Sequence, residues 1–335
     1  MNMAELRTVT FATSTFATAG LRGSLRANEP MAKHVSWRVG VTAAHAYVPA
    51  DIEDLCAFLR VLPADEPVQF CGLGSNLLVR DGGYRGTVVL MHTSHGVMRI
   101  DAGPGVAGVG AKVGANSVGL VYAEAGVASP KVARFAATHG LEGAEFLAGV
   151  PGTVGGALAM NAGCYGAETW QFVERVQVMT RRGELRERPA SDYATGYRHV
   201  TLSAVQPASA QAADEWFSAA WFRFKAGDGA RARQRIKELL ARRIASQPLN
   251  LPNAGSVFRN PEGDHAARLI EASGLKGYAI GGARISEKHA NFIVTPGGKA
   301  SAADIEALIG HARATVLAKH GVALTPEVRI VGEKA

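Results

Sequence analysis

Gly149-Val150-Pro151-Gly152-Thr153-Val154-Gly155-Gly156-Ala157 is the stretch on which the fold of this chain depends, and Met160-Asn161-Ala162-Gly163 follows it closely. Glycine loses more backbone freedom on folding than any other residue, and proline lacks an N–H donor. This composition predicts a loop and argues against an ordinary helix or strand. Small residues let backbone N–H groups approach a ligand, and successive N–H groups in turns form a concave anion site. We therefore predict a phosphate-binding loop, called glycine loop 2 (residues 149–163).

A second stretch, Gly72-Leu73-Gly74-Ser75-Asn76-Leu77-Leu78-Val79, has the same character and is called glycine loop 1. It follows the apolar run Val68-Gln69-Phe70-Cys71, which predicts a strand, and α/β proteins usually bind ligands at strand ends. For each loop alone, a tight structural turn is an equally good interpretation. Together the two loops favour a pyrophosphate ligand. Neither fits the P-loop pattern or the dinucleotide fingerprint.

Composition narrows the class of protein. A chain of 335 residues exceeds the size at which one core keeps growing, so two or three subdomains are expected. The three cysteines, Cys56, Cys71 and Cys164, have no CxxC spacing, which indicates a reducing compartment and neither a disulfide framework nor a metal site. The net charge of +7 is spread along the chain, which suits an anionic small molecule better than nucleic acid.

The sequence also predicts a domain organisation. Residues 1–18 are rich in Thr and Ala with Arg7 among them, which predicts a disordered tail and no secretory signal. The longest uncharged stretch, 146–167, is broken by glycines and Pro151, so we expect no membrane span and a cytoplasmic location. We predict one region over residues 19–227, with subdomains at about 19–85 and 86–227. A smaller C-terminal domain follows at 228–335, with its last strand returning to the active site.

Local patterns predict several individual elements. Asp51 opens a helix that Pro63 ends, and Val173–Thr180 forms a hairpin with a strand after Gly183. Ser301 caps a helix that ends at Gly321. Residues 228–246 predict an amphipathic helix with a solvated basic face. Its inward residues are expected to be Ile236, Leu239, Leu240 and Ile244.

Four polar residues stand out as candidates for chemistry. The guanidinium of Arg198, beside Tyr197, could clamp a carboxylate or phosphate through parallel hydrogen bonds. Ser256 needs a neighbouring charge or base for acid or nucleophile duty, and no GxSxG elbow surrounds it. Glu327 enters an apolar strand, where a buried carboxylate must be paired or functional. On the residues alone, a surface arginine and a turn serine remain the open alternatives, and His289 is more simply a structural loop residue.

In their order along the chain, these motifs resemble those of the UDP-N-acetylenolpyruvoylglucosamine reductase family, of its second type. The match covers roughly residue 19 to the end of the chain. The motifs that carry it are Trp37-Arg38-Val39-Gly40, both glycine loops, Gly196-Tyr197-Arg198, Asn253-Ala254-Gly255-Ser256-Val257-Phe258 and Pro326-Glu327-Val328-Arg329.

The resemblance implies a fold and a reaction. The fold is α+β: a vanillyl-alcohol-oxidase/PCMH-like two-part FAD-binding region with a smaller α+β substrate-binding C-terminal domain. In the family, NADPH reduces FAD, and the reduced flavin passes a hydride to UDP-N-acetylglucosamine enolpyruvate, giving UDP-N-acetylmuramate for peptidoglycan. The implied partners are therefore the UDP-sugar and NADPH, with no nucleic acid, membrane or obligate protein partner.

The resemblance also implies roles for particular residues. Ser256 matches the proton donor, while Arg198 and Glu327 match residues that stabilise the substrate carboxylate and the intermediate. Substrate contacts are expected at Tyr197, Asn253, Gly255 and His289. FAD contacts are expected at Gly72, Gly74, Ser75, Asn76, Leu77, Gly149, Pro151, Gly152, Gly155, Gly156, Asn161 and Gly163. No metal is implied.

Two departures from the family pattern bear on these expectations. Val41 stands where family members commonly carry glycine, so we expect an altered flavin contact at that turn. The segment between Arg198 and Ser256 has no evident tyrosine-bearing substrate loop. Two alternatives stay open: another flavin oxidoreductase of the same fold, and a catalytically silent nucleotide-binding protein. The joint presence of Arg198, Ser256 and Glu327 argues against both.

Overall fold

The computed structural model describes residues 8–10, 15–17, 20–92, 96–101, 118–203 and 215–335. The strands are β1 Thr8–Thr10, β2 Thr15–Ala17, β3 Ser24–Pro30, β4 Thr42–Val48, β5 Val68–Cys71, β6 Leu77–Val79, β7 Tyr84–Leu90, β8 Met98–Asp101, β9 Val118–Glu124, β10 Leu141–Glu142, β11 Gly163–Cys164, β12 Ala167–Glu168, β13 Val173–Thr180, β14 Leu185–Pro189, β15 Tyr193–Gly196, β16 His199–Leu202, β17 Glu215–Ala226, β18 Ala279–Ile280, β19 Ala283–Ile285, β20 Ile293–Val294 and β21 Arg329–Val331. The helices are α1 Ile52–Val61, α2 Ser129–Thr138, α3 Val154–Met160, α4 Gly229–Ser246, α5 Ala266–Ala272 and α6 Ala302–His320. Short 3-10 helices occupy Met31–Lys33, Glu145–Gly149, Thr169–Gln171 and Ala190–Asp192.

The first sheet has the order β3-β4-β7-β5. Its β4–β7 and β7–β5 pairs are parallel, and its β3–β4 pair is antiparallel. Helix α1 packs on it, with Phe58 stacked on Tyr47 at a centroid distance of 3.8 Å. The helix begins as predicted, because the Asp51 carboxylate accepts the Asp54 N–H. Cys56 is buried in this core, and burial raises the pKa of its thiol. Strand β5 leads directly into glycine loop 1.

The second sheet is antiparallel, with the order β14-β13-β17-β9-β8. Strand β10 pairs with the last two residues of β17. Its β13–β14 hairpin confirms the prediction for that segment. Helices α2, α3 and α4 share one core with the sheet, together with the 3-10 helix Glu145–Gly149. Glycine loop 2 therefore runs between the sheet and its covering helices.

The prediction that residues 149–157 contain no ordinary helix was wrong for their second half, because α3 begins at Val154. The N–H groups of Val154 and Gly155 donate to the carbonyls of Val127 (2.8 Å) and Ala125 (2.9 Å). A Cβ on Gly155 would lie 3.0 Å from that of Ala125. Close packing and hydrogen bonds from a neighbouring segment thus override the low helix propensity of glycine.

Helix α4 differs from the predicted amphipathic pattern at its C-terminal end. Ile236 and Leu239 are buried as expected, but Ile244 is 61% exposed. The helix packs on the second core through its first turns and then leaves it. Because α4 belongs to this core and β7 remains in the first sheet through Leu90, we propose that the subdomain boundaries follow Leu90 and Ser246.

The C-terminal domain packs α5, α6 and the β18-β19-β20 sheet around a third core. Helix α6 has the predicted ends: Ser301 forms a capping box with Asp304, and Gly321 takes a left-handed φ of 70°. Trp37 joins this core from the first subdomain, and its indole N–H donates to the carbonyl of Ile293 (2.8 Å). Strand β21 pairs parallel with β6, which places Arg329 opposite Leu77 in glycine loop 1.

The N-terminal segment is described only in part. Within the predicted tail, β1 and β2 pair antiparallel, and the other residues of 1–18 lie outside the described residues. None of the helices in the described part of the chain is long and apolar enough to cross a membrane.

Candidate active site

One cavity lies at the junction of the two sheets and the C-terminal domain, and both glycine loops line it. The structure brings most of the predicted site residues to this cavity. Those in its lining are Gly72, Gly74, Ser75, Asn76, Leu77, Gly149, Pro151, Gly152, Gly156, Gly163, Arg198, Gly255, Ser256 and Glu327. Residues more than two hundred positions apart in the sequence thus share one wall.

The two glycine loops contact each other directly. A Cβ on Gly72 would overlap the hydroxyl of Thr153, which belongs to glycine loop 2. Gly74 has a φ of 59°, and a Cβ there would overlap the carbonyl of His34. Glycine is therefore required at both positions by close approach, and at Gly74 also by backbone conformation.

The loops present backbone donors that the protein leaves unused. No acceptor among the described residues takes the N–H groups of Gly72, Leu73, Ser75, Asn76, Gly152, Thr153 and Gly156. All seven residues line the cavity. Gly152 and Thr153 are buried, and nearly all buried backbone donors in proteins are paired, so these two N–H groups call for an external acceptor. The five less buried N–H groups beside them can bind the same acceptor. Such a set of amides suits the oxygens of a pyrophosphate, and the residues present therefore fit the predicted dinucleotide cofactor.

Arg198 is held in an unusual conformation at the tip of the β15–β16 hairpin. Its φ of 56° lies in the left-handed region, which is uncommon for a residue with a side chain. Its Nε donates to the Glu327 carboxylate (2.7 Å), and its Nη1 and Nη2 donate to the carbonyls of Asn161 (3.3 Å) and Gly163 (3.4 Å). Strained backbone that the surroundings hold in place is common at functional sites.

Glu327 connects three parts of the site. Its N–H donates to the carbonyl of Val257 (2.7 Å), next to Ser256, and its carbonyl accepts from the Asn76 side chain (3.2 Å). Its carboxylate pairs with Arg198. Burial raises the pKa of the Glu327 carboxyl, and the positive charges of Arg198 and Arg259 oppose that shift. The site therefore holds a carboxyl group that takes up a proton more readily than an exposed one.

Ser256 follows a turn that its neighbours build. The Asn253 side chain accepts the N–H of Gly255 (3.0 Å), and Gly255 has a φ of 74°. After the serine, the Val257 N–H donates to the carbonyl of Asn291 (2.9 Å). The Ser256 hydroxyl makes no hydrogen bond to any of the described residues, although the residue is half-buried and lines the cavity. Its proton is thus available to a ligand.

The other predicted substrate residues lie outside the lining of this cavity. Tyr197 is 44% exposed, and its hydroxyl accepts the N–H of Asn260 (3.4 Å). The Nδ1 of His289 accepts the N–H of Asn291 (3.3 Å), and burial lowers the pKa of its ring. Asn253 uses its side chain to shape the turn before Ser256. In this conformation the three residues support the site's loops.

Two predicted cofactor residues are also outside the lining of this cavity, although Gly155 lines the adjoining cavity that contains Phe70 and Trp216. Gly155 packs against Ala125, and Asn161 is buried with its carboxamide bonded to protein groups. Val41 belongs with them, because its side chain is 44% exposed and does not line the cavity. The expectation that Val41 alters a cofactor contact therefore finds no support in the geometry.

Sequence reasoning missed several residues of the lining. Arg243 was assigned to a solvated basic face, yet it donates to the carbonyl of Gly149 and to Gln247 (2.8 Å). The remaining ones include Gln69, Cys164, Phe292 and Arg329. The sequence could have predicted Arg329 as a lining residue. Alternate residues of a strand share one face, and Arg329 follows Glu327 by two positions. No sequence signal distinguishes Arg243 from its basic neighbours on α4.

Two further cavities adjoin this one. The first, called the aromatic cavity, has an apolar wall that includes Phe70 and Trp216, whose rings stack at a centroid distance of 4.6 Å, and it shares Gly72 and Thr153 with the cavity of the glycine loops. The second is lined by Arg38 and Arg243, and no carboxylate is among its described lining residues. The cavity of the glycine loops thus continues into an aromatic region on one side and a cationic region on another.

This fold and this cavity define an FAD-dependent oxidoreductase. The family model described as an FAD binding domain matches residues 43–188, which contain both glycine loops. A second model, described as the C-terminal domain of UDP-N-acetylenolpyruvoylglucosamine reductase, matches residues 247–331, which contain Ser256 and Glu327.

Known proteins resemble the chain along nearly its whole length. The UDP-N-acetylenolpyruvoylglucosamine reductase of Thiobacillus denitrificans is 57% identical over 315 residues, which cover 94% of each chain. That of Nitrosospira multiformis is 56% identical over 329 residues, covering 95% of this chain and 91% of the relative. The crystal structure of the Thermus caldophilus enzyme of this name matches with a TM-score of 0.70 at 27% identity, covering 92% of this chain and 98% of the other.

The chain belongs to the UDP-N-acetylenolpyruvoylglucosamine reductase family. The resemblance drawn from the sequence is thereby confirmed. So are the α+β fold with its two-part, PCMH-like FAD-binding region and the FAD cofactor with NADPH as hydride donor.

Proposed function

We propose that Arg198, Ser256 and Glu327 are the residues with which this chain reduces its substrate. As a member of its family, the chain is a flavin-dependent UDP-N-acetylmuramate dehydrogenase that converts UDP-N-acetylglucosamine enolpyruvate to UDP-N-acetylmuramate in peptidoglycan synthesis. One observation carries the proposal for the residues. Glu327 is bonded to Arg198 and to the segment of Ser256 inside the cavity that both glycine loops line.

The unused N–H groups of the two glycine loops would hold the FAD pyrophosphate. The aromatic cavity beside Phe70 and Trp216 offers a place for a flat ring of the cofactor. When bound, FAD supplies the hydride that it receives from NADPH. The residues of the chain must then handle the charge and the proton that accompany this hydride.

Arg198 supplies fixed positive charge where negative charge develops. Hydride addition to the β-carbon of an enol ether leaves negative charge on the neighbouring carbon and its carboxylate. A guanidinium already held by three hydrogen bonds stabilises that charge without having to reorganise first. Glu327 contributes by fixing the Arg198 Nε, because its carboxylate accepts that N–H and so sets where the guanidinium lies.

Ser256 supplies the proton that completes the reduction. Its hydroxyl lines the cavity and is not bonded to the described protein groups. A serine hydroxyl is a weak acid, so it can protonate only a strongly basic centre such as an enolate-like carbon. The Asn253–Gly255 turn before it and the Val257 hydrogen bond after it fix where that hydroxyl lies.

We further propose that the enzyme acts in the cytoplasm. Cys56, Cys71 and Cys164 are all free, which suits a reducing compartment. The proposed partners are the UDP-sugar and NADPH, with no nucleic acid, membrane or obligate protein partner. Fractionation of cells tests the location, and recovery of the protein in an oxidising or membrane compartment would contradict it.

The substitution Ser256→Ala tests the proton-donor role. Reduction of FAD by NADPH should remain near the wild-type rate, because that half-reaction needs no proton from Ser256. Reoxidation by UDP-N-acetylglucosamine enolpyruvate should slow by several orders of magnitude. Anaerobic stopped-flow absorbance measures the two half-reactions separately. Ser246→Ala, on the exposed surface of α4, is the matched control and should change neither. Equal slowing of both half-reactions by Ser256→Ala would refute the role.

A further inference from the structure

Asn161 lies beside the cavity without lining it. It is 2% exposed and ends helix α3 in the left-handed conformation, with φ 42° and ψ 53°. Asparagine is, after glycine, the residue that most readily takes this conformation. Its position in glycine loop 2 predicted a cofactor contact, but its side chain is directed elsewhere.

The carboxamide of Asn161 is fully engaged with the protein. Its Oδ1 accepts the N–H of Trp170 (3.1 Å), and its Nδ2 donates to the Glu168 carboxylate (2.8 Å) and to the carbonyl of Gly196 (3.1 Å). One amide group thus ties glycine loop 2 to the segment that follows it and to strand β15. Both hydrogens of Nδ2 and the single oxygen have partners.

The hydrogen bond from Asn161 to Gly196 lies at the first residue of the turn that carries Arg198. Gly196 pairs with His199, and only Tyr197 and Arg198 lie between them. Arg198 has a strained φ of 56° and donates its Nη1 to the main-chain carbonyl of Asn161 (3.3 Å). Asn161 therefore contacts this turn twice: its side chain binds the start of the turn, and its backbone binds the guanidinium at the end.

We propose that Asn161 is a positioning residue that acts through Arg198, setting where the guanidinium lies relative to Glu327 and the cavity. The inference rests on the proposed catalytic role of Arg198. Asn161 contacts no reacting group in this arrangement. Its effect on the reaction is to keep a strained two-residue turn in a single conformation, because a guanidinium displaced by about 1 Å stabilises the developing charge far less well.

Asn161→Gly is the sharpest variant for the test. Glycine adopts the left-handed backbone without strain, and the main-chain carbonyl at position 161 remains, so only the carboxamide is lost. We expect reoxidation of reduced FAD by UDP-N-acetylglucosamine enolpyruvate to slow about 10- to 100-fold. Reduction of FAD by NADPH should be unchanged. If the glycine variant fails to fold, Asn161→Asp in a Glu168→Gln background replaces it. That variant keeps the size and the acceptor, loses the donor to Gly196 without placing two carboxylates together, and should slow the same half-reaction.

Two comparisons separate positioning from general structural support. The double variant Arg198→Ala/Asn161→Gly should reoxidise as slowly as Arg198→Ala alone, because a residue that acts through Arg198 has no effect without it. Glu168→Gln keeps an oxygen for the Asn161 Nδ2 and should behave as wild type. In Asn161→Gly, the pH dependence of the reoxidation rate should also shift toward higher pH. Arg198 and Arg259 are the cations that lower the pKa of Glu327, and a displaced Arg198 lowers it less.

Three results would overturn the inference. One is equal slowing of both half-reactions by Asn161→Gly, and another is a further, multiplicative slowing of the Arg198→Ala enzyme. The third is an Asn161→Gly enzyme that reoxidises at the wild-type rate while Arg198→Ala is slow, which removes the role of Asn161 and leaves the proposed function intact. Normal reoxidation in Arg198→Ala itself would instead remove the proposed role of Arg198, and the inference about Asn161 with it.

Discussion

Glu327 is the residue at which the chemistry and the architecture of this protein meet. Its backbone joins glycine loop 1 to the Ser256 segment, and its carboxylate holds Arg198. Two opposing influences act on the carboxyl group. Burial favours its neutral form and the neighbouring arginines favour its charged form, and burial prevails, so the pKa is raised. A group in this balance responds to small displacements of Arg198.

The raised pKa of Glu327 makes stability depend on pH in a defined direction. Below the ordinary pKa of 4.5, the carboxyl is protonated in both folded and unfolded chains and contributes no difference. As pH rises, the unfolded chain loses the proton first, so the free energy of unfolding of the wild type falls. Glu327→Gln removes this titration. The unfolding free energy of the variant minus that of the wild type should therefore increase with pH.

Urea denaturation at saturating FAD, at several pH values between about 4.5 and 8, measures this difference. The absolute stability of Glu327→Gln can lie above or below the wild type, because the Arg198 hydrogen bond also changes. The slope decides the question. If the difference in unfolding free energy stayed constant or decreased with rising pH, burial would not be disfavouring the charged form of Glu327.

At the residue scale, the sequence predicted the groups that carry chemistry better than those that support them. Arg198, Ser256 and Glu327 were singled out because each is a polar residue in a short motif, and the structure places them in one cavity. Asn161 and Arg243 were not assigned their observed contacts. Their distant partners, Gly196 for Asn161 and Gly149 for Arg243, are set by tertiary packing that no local pattern contains.

Helix α3 shows how an element can form against the preference of its sequence. Gly155 and Gly156 lower the intrinsic stability of its first turns. The carbonyls of Ala125 and Val127 take its first two N–H groups, and Gly155 allows close contact with Ala125. The surroundings of Gly156 differ from those of Gly155. The atom nearest to a Cβ added at Gly156 would be the Thr153 hydroxyl oxygen, at 4.0 Å, and Gly156 lines the cavity.

The substitution Gly156→Ala separates these two uses of glycine. The protein has room for the added methyl group, and alanine favours a helix, so the unfolding free energy of the apoprotein should be unchanged or rise by up to about 1 kcal/mol. The methyl group would project into the cavity where the cofactor approaches the backbone. The Kd for FAD should therefore rise at least about tenfold, equivalent to about 1.4 kcal/mol. Titration of the apoprotein with FAD, followed by flavin fluorescence, measures this.

Gly310→Ala is the matched control for that measurement. Gly310 lies in helix α6, and a Cβ added there would meet no neighbouring atom within 4 Å, so alanine should give the same helix benefit without reaching the cavity. Its FAD affinity should equal that of the wild type. If Gly156→Ala bound FAD as tightly as Gly310→Ala does, the cofactor would not approach this part of glycine loop 2.

At the element scale, prediction succeeded where local signals set the structure. The cap at Asp51, the β13–β14 hairpin and both ends of α6 agree with the sequence patterns. Prediction failed where the packing partner of an element determines which of its residues are buried. Ile244 fits the helical periodicity of α4, but the core that α4 covers ends before it, and the side chain is exposed. Periodicity identifies an apolar face without showing how far the partner surface extends.

At the scale of the whole molecule, the cavity depends on three parts of the chain meeting at one place. Trp37 inserts from the first subdomain into the C-terminal core, and β21 pairs with β6 beside glycine loop 1. Glycine loop 2 comes from the second sheet and contacts loop 1 through Gly72. Connections over such sequence distances are beyond local patterns, and only the order of the family's motifs predicted that these segments share a site.

In this protein, the assembled cavity holds FAD, which passes a hydride from NADPH to the enolpyruvyl sugar nucleotide. The visible absorption spectrum of the purified protein under anaerobic conditions tests it most directly, recorded before and after NADPH and again after UDP-N-acetylglucosamine enolpyruvate. We expect flavin bands that bleach with NADPH and return with the sugar nucleotide. A protein that binds no added FAD, or whose bleached bands return only when oxygen is admitted, would contradict it.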